Sequence, residues 1–171
     1  MNRRKFLQLG ALSAAGALVG SAVYRVRWGW WDQAGDPGFE MLSPREAEIA
    51  RALADAIFPG DSRGMPNGVD VGVVQTLDDY LAAIPEQTAN LLRLLLHAID
   101  ETALVSGLKM RRFHRRPRQE RVAILNAWDT SRIRARREAF GGLKVILAMG
   151  YCESVEVIAA AGFDYQCGAW R

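Results

Sequence analysis

The chain holds two histidines, His97 and His114, and the first is followed by Asp100 and Glu101. On a helix, residues three and four apart share a face, so an imidazole and two carboxylates would converge there. Such a donor set could take part in a divalent metal site. It lacks the second histidine or Glu-x-x-His partner that would complete one, so the pattern equally describes a histidine beside solvated acids. Other chemistry is harder to find. There is no Gly-x-Ser-x-Gly elbow, and neither Cys152 nor Cys167 has a histidine close by in sequence. No Cys-x-x-Cys-His or paired Cys-x-x-Cys occurs for haem, zinc or iron–sulfur. Gly141-Gly142-Leu143-Lys144 lacks the spacing and trailing hydroxyl of a phosphate loop, and no Gly-x-Gly-x-x-Gly follows a strand. A stand-alone enzyme would have to work through His97, Asp100 and Glu101.

The densest local feature is basic. Lys109, Arg111, Arg112, Arg115, Arg116, Arg118 and Arg121 fall within thirteen residues, with Phe113 and His114 among them, and Arg132, Arg134, Arg136 and Arg137 follow. Interleaved arginine and aromatic residues suit single-stranded nucleic acid, anionic lipid headgroups or an acidic subunit surface. They equally suit a solvated face paired with acids elsewhere. The charge balance argues against nucleic acid. The formal net charge of +3 resides in Arg3, Arg4 and Lys5, and beyond them 19 basic residues face 19 acidic ones.

The elements that would position these groups are helical. Of 171 residues, 50% are hydrophobic and 24% charged, an ordinary globular composition. Ser43-Pro44-Arg45-Glu46 reads as a capping box with proline at the first helical position, opening a helix with Ile49, Leu53 and Ile57 in line. Pro59-Gly60 stops it, and a Gly/Pro/Asn/Asp loop runs to Asp70. A second helix over 71–83 places Val74, Leu77, Leu81 and Ile84 inward and Asp78-Asp79 outward. A third, from Pro85 to about Ser106, is apolar around much of its girth (Leu91, Leu92, Leu94, Leu95, Leu96, Ile99) and is expected at the centre. Pro117 restarts a helix with Val122, Ile124, Leu125 and Trp128 inward, which Thr130 or Ser131 would cap for a continuation to Phe140. Gly141-Gly142 predicts a break or kink before Leu143, Val145, Ile146, Leu147 and Met149. A last helix spans 154–161. The expectation is an all-α single domain of five to seven helices.

Ahead of it lies an address. Arg3, Arg4 and Lys5 precede Phe6-Leu7 and a run of 18 residues without charge, Phe6 to Val23. This layout of basic and apolar regions is that of an export signal. The arginine pair before Phe6-Leu7 resembles the twin-arginine (Tat) consensus. The domains are thus 1–22 as signal, cleaved or retained as an anchor; 23–42 as linker; and 43–171 as the helical domain. Gly20-Ser21-Ala22 is the best small-residue cleavage site. Trp28, Trp30 and Trp31, with Arg25 and Arg27, have the composition of a membrane interface. Export implies an oxidising compartment, where Cys152 and Cys167 could bridge to each other, bridge to a partner, or stay reduced.

The order of these motifs is similar to that of the gluconate 2-dehydrogenase subunit 3 family. The likeness is carried by the Ser-Pro-x-Glu start, Ala54-Asp55-Ala56-Ile57-Phe58-Pro59, Gly68-Val69-Asp70-Val71-Gly72-Val73, Leu77-Asp78-Asp79-Tyr80-Leu81, and a close through Tyr151, Val155, Ala159 and Gly162-Phe163. It covers roughly residues 40–165. Asn67-Gly68 stands where the family has Gly-Ala, and Gly162-Phe163-Asp164-Tyr165 lacks the final glycine of Gly-Tyr-x-Gly. The resemblance implies a small, non-catalytic subunit of a periplasmic or membrane-associated dehydrogenase. FAD and the catalytic histidine would sit in a large GMC-type subunit without a signal of its own, with no cofactor in this chain. The small subunit would help that partner fold and take it through the Tat translocase, electrons leaving through a cytochrome c subunit or another acceptor. Arg111, Arg112, Arg115 and Arg116, with the three tryptophans, are candidate contacts to partner or lipid.

Overall fold

The structure, a computed structural model, describes residues 37–62, 64–105 and 111–162. Its first helix starts where the capping box lies. Ser43 is extended (φ −71°, ψ 160°) and α1 runs Pro44–Ile57. The Glu46 N–H donates to Ser43 Oγ at 3.4 Å, and the Ser43 N–H donates to the Glu46 carboxylate at 2.9 Å. Two of the N–H groups that every helix start leaves unpaired are thereby satisfied. Ile49 and Leu53 are fully buried, and Ala47, Ala50, Ala52, Ala54 and Ala56 line the other sides.

These alanines let neighbours approach α1 from several directions, and α2 (Val73–Ala83), α3 (Glu86–Val105), a 3-10 turn (Phe113–Arg115) and α4 (Arg118–Asp129) all pack on it. The central helix is therefore α1, not the third helix as its leucines suggested. Helix α3 buries Ala89, Leu96, Ile99 and Ala103 but leaves Leu91 65% exposed. On α2, Val73, Val74, Leu77 and Leu81 face inward as expected, but so does Asp78, only 1% exposed. Its carboxylate accepts the backbone N–H groups of Glu40 (2.7 Å), Met41 (2.9 Å) and Leu42 (2.8 Å). That clamp seals Leu42 into the core, so the end of the segment read as linker is part of the domain.

Helix α4 buries Ile124, Leu125 and Trp128, while Val122 is turned to solvent. Thr130 ends α4, its hydroxyl donating to Asn126 O at 2.8 Å, and Ser131 Oγ accepts the N–H of Ile133 rather than capping a continuation. Helix α5 (Arg134–Glu153) passes through Gly141-Gly142 without interruption. The expected break fails because Phe140, Leu143, Leu147 and Tyr151 are buried at helical spacing on both sides. Their packing outweighs the roughly 1 kcal/mol that each glycine costs a helix interior. Val145 and Met149 of the same helix are more than half exposed, contrary to expectation. Helix α6 (Val155–Ala160) buries Val157, and Gly162 with φ +75° follows. Among the described residues there are six α-helices and no strand, only an isolated bridge between Pro59 and Asn67. The fold is all-α, as expected.

One glycine of α5 does have a packing reason. A Cβ on Gly150 would stand 2.9 Å from Thr76 Cβ of α2, whereas Cβ atoms on Gly141 and Gly142 would meet nothing within 4 Å. Gly142→Ala is therefore expected to raise stability by about 0.5–1 kcal/mol, while Gly150→Ala lowers it by about 1–3 kcal/mol through overpacking. Urea titrations of both variants check this, and equal shifts would contradict it.

Candidate functional site

The titratable groups singled out in the sequence lie along one face of α3 at helical spacing, His97, Asp100 and Glu101, with Leu104 one turn further on. That face is turned inward, onto the start of α1. His97 Nε2 donates to Glu46 Oε1 at 3.1 Å, and both side chains are essentially without solvent contact. Arg93, one turn before His97, lays its guanidinium on the same carboxylate, Nε to Oε1 at 3.0 Å and Nη2 to Oε2 at 3.0 Å. Burial pushes the Glu46 carboxyl up, but hydrogen bonds from His97, Arg93 and the Ser43 N–H outweigh it. They hold the group down at about 2, against a usual 4.5.

A second cluster adjoins the first. Arg45 Nη2 donates to Asp100 Oδ2 at 2.9 Å and to Glu101 Oε1 at 2.7 Å. Asp100, fully buried, also accepts from the backbone N–H of His114 at 3.2 Å and from its Nδ1 at 2.7 Å. Desolvation raises the Asp100 carboxyl, yet Arg45 and His114 keep it below the ordinary aspartate range. With Nδ1 turned toward Asp100, Nε2 meets Arg115 Nε at 3.2 Å and faces Glu48 Oε2 at 3.6 Å. The imidazole–carboxylate pair could move a proton only through an atom that Arg115 already engages.

Both readings of His97, Asp100 and Glu101 are thus corrected. His97 and Asp100 are buried and Glu101 is partly so, and the three are not arranged around an ion. They pair with Glu46, Arg45 and His114, and among the described residues no three His, Cys, Asp or Glu side chains are placed to hold a metal. Sequence reading missed Arg45, Arg93 and the second role of Glu46. The signal was present in Arg93 and His97, four apart on α3, but their acid lies some fifty residues away.

The arginine stretch divides in two. Arg116 is buried, donating to Ala103 O (2.5 Å), Arg111 O (3.0 Å) and Glu120 (3.1 Å), so it is no surface contact. Arg121 pairs with Asp55 at 2.6 Å and with Ala52 O at 2.8 Å. Arg136 lies over the Trp128 ring at 4.2 Å, and Arg134 pairs with Glu138 at 2.6 Å. Arg111, Arg112 and Arg115 point outward. On the face of α3 opposite the charge network, Leu91, Leu92, Leu95 and Ala98, with Ala139 of α5, line an apolar groove of about 410 Å³. Cys152 is exposed at the end of α5. Its suggested partner Cys167, the residues read as an export signal, Arg3, Arg4, Phe6 and Leu7, and Trp28, Trp30 and Trp31 lie outside the described residues. No described helix is long and apolar enough to cross a membrane.

Fold and site define a class: a small all-α domain that fixes its buried acids and bases to one another and leaves an apolar face open. Residues 44–167 match the family model for gluconate 2-dehydrogenase subunit 3, and the chain belongs to that family. No curated protein and no solved structure matches it.

The depressed carboxyls set a pH dependence. For Glu46 the contribution to stability is complete above the unfolded-state value near 4.5 and is lost as pH falls through the folded value near 2; Asp100, also lowered, acts in the same direction. Unfolding free energy is therefore expected to decline between about pH 4.5 and pH 2. Glu46→Gln should cost about 3 kcal/mol at pH 7, where it removes the buried carboxylate to which Arg93 and His97 donate, and should flatten the acid limb. Denaturant titrations at pH 3 and 7 measure both. An unchanged acid limb in the variant would contradict the assignment.

Proposed function

We propose that the chain is the small, non-catalytic subunit of a periplasmic or membrane-associated FAD-dependent dehydrogenase complex. It stabilises a GMC-type flavoprotein large subunit and carries it through the Tat pathway. Membership of a family of dehydrogenase subunits supports the reading. The observation that carries it is the open apolar groove on the face of α3 opposite a charge network whose members face one another. An apolar concavity rimmed by polar surface is what a partner's anchor residues fill. The sequence holds no strand–glycine turn–helix motif of the kind that seats a dinucleotide pyrophosphate in α/β folds. The flavin and the hydride chemistry it supplies are accordingly assigned to the partner, with electrons passing on to a cytochrome c subunit or another acceptor.

The signal at 1–22 makes the escort role testable. In cells making both subunits, deleting residues 1–22 should leave the flavoprotein in the cytoplasm and abolish periplasmic dehydrogenase activity. Flavoprotein reaching the periplasm with the truncated chain would refute the escort role.

A further inference from the structure

The outward arginines converge. Leu104, Arg111, Arg112 and Arg115 line an open cleft of about 570 Å³ at the end of α3. Arg111 and Arg115 are exposed, and Arg112 is partly so. Among the described residues the carboxylate paired with this group is Glu101, 3.8 Å from Arg112 Nη2, and its Oε1 already accepts from Arg45 at 2.7 Å. Of the three guanidinium groups, Arg112 alone has a carboxylate partner among the described residues, and that partner is already engaged by Arg45.

Their positions are fixed from beneath. Phe113 is fully buried, and the backbone and ring of His114 are both held by Asp100. Arg116 ties the backbone carbonyl of Arg111 to that of Ala103 at the end of α3. Residues 113, 114 and 116 serve as inward anchors, so 111, 112 and 115 are presented outward, with Arg115 further held by His114 Nε2 at 3.2 Å. Like charges held together repel, and a preorganised cluster of this kind lowers the ordering cost of binding an anion. All three are arginines, whose planar fork matches a carboxylate bidentately.

We propose that this cleft binds a carboxylate-rich segment of the flavoprotein subunit, seated by fork-type pairs from Arg111, Arg112 and Arg115. The proposal rests on the complex-subunit reading. A protein segment is favoured over a membrane because the site is concave, has Leu104 in its wall, and confines its charge to one short turn. Recruitment to an anionic bilayer instead draws on clusters of about four to eight cations, more than the three gathered here.

The test uses the full chain co-produced with the GMC-type flavoprotein subunit that the proposed function assigns to it. The wild-type pair should bind with an affinity that falls steeply as salt rises from about 0.1 M to about 1 M, where the screening length shrinks from about 10 Å to about 3 Å. The triple reversal Arg111→Glu, Arg112→Glu, Arg115→Glu should weaken binding about 100-fold or more. The triple lysine variant keeps the charge but loses the fork, and should weaken it about 10-fold. Arg111→Glu alone, at an exposed side chain, should leave the thermal midpoint unchanged and still weaken binding, which separates docking from folding. If the wild-type pair fails to associate, the subunit reading itself falls. If it associates and the triple reversal binds within about threefold of it, the cleft proposal is overturned while the subunit reading stands. Arginine-dependent capture of phosphatidylglycerol vesicles with partner affinity unaltered would likewise overturn it, in favour of a membrane contact.

Discussion

The Glu46 carboxylate is the constraint on which the rest depends. It lies at the N-terminus of α1, where the helix dipole favours negative charge, and it closes the capping box with Ser43. It also accepts Arg93 and His97 from α3, across a sequence gap of some fifty residues. A local signal that starts a helix and a long-range contact that docks another helix are thus made by one group. A buried charge is tolerable only when its acceptor sites are filled, and here backbone, guanidinium and imidazole fill them together. The neighbouring Arg45–Asp100–His114 cluster extends the same logic to the 3-10 turn, and Asp78 applies it to the segment entering α1.

This arrangement has a functional consequence. The histidines and the buried carboxylates, which alone could have suggested acid–base or metal chemistry, are engaged with one another at the junction of α1, α3 and the turn. Among the described residues, the surfaces left open to other molecules include the leucines on the far face of α3 and the guanidinium groups of the turn. Apolar concavities and forked cations recognise proteins. A member of a dehydrogenase-subunit family with these faces free is built to be held by another chain.

Legibility from sequence followed the range of the interactions. The capping box was readable because Ser43, Pro44 and Glu46 act within one turn, and the all-α class was readable from period and punctuation. The burial of His97, Asp100 and Asp78 was not, since polar residues read as solvated unless their partners are known, and those lie on other helices. Leucine content pointed to α3 as the centre, but the alanines of α1 admit more neighbours; small residues carry little hydrophobic signal and much steric permission. Gly141-Gly142 signalled a break by local propensity, and the buried residues flanking it on α5 decided otherwise. The arginine stretch read as one feature because nothing local distinguishes Arg116, which faces inward, from Arg115, which faces out.

The central claim is that this chain acts as the companion of a flavoprotein. The direct measurement is to purify the chain alone and the co-produced pair by size-exclusion chromatography, recording absorbance near 450 nm and dehydrogenase turnover across each peak. Flavin absorbance and turnover are expected to coincide with the two-subunit peak, and neither is expected with the chain alone. A tightly held flavin and turnover in the isolated chain would contradict it.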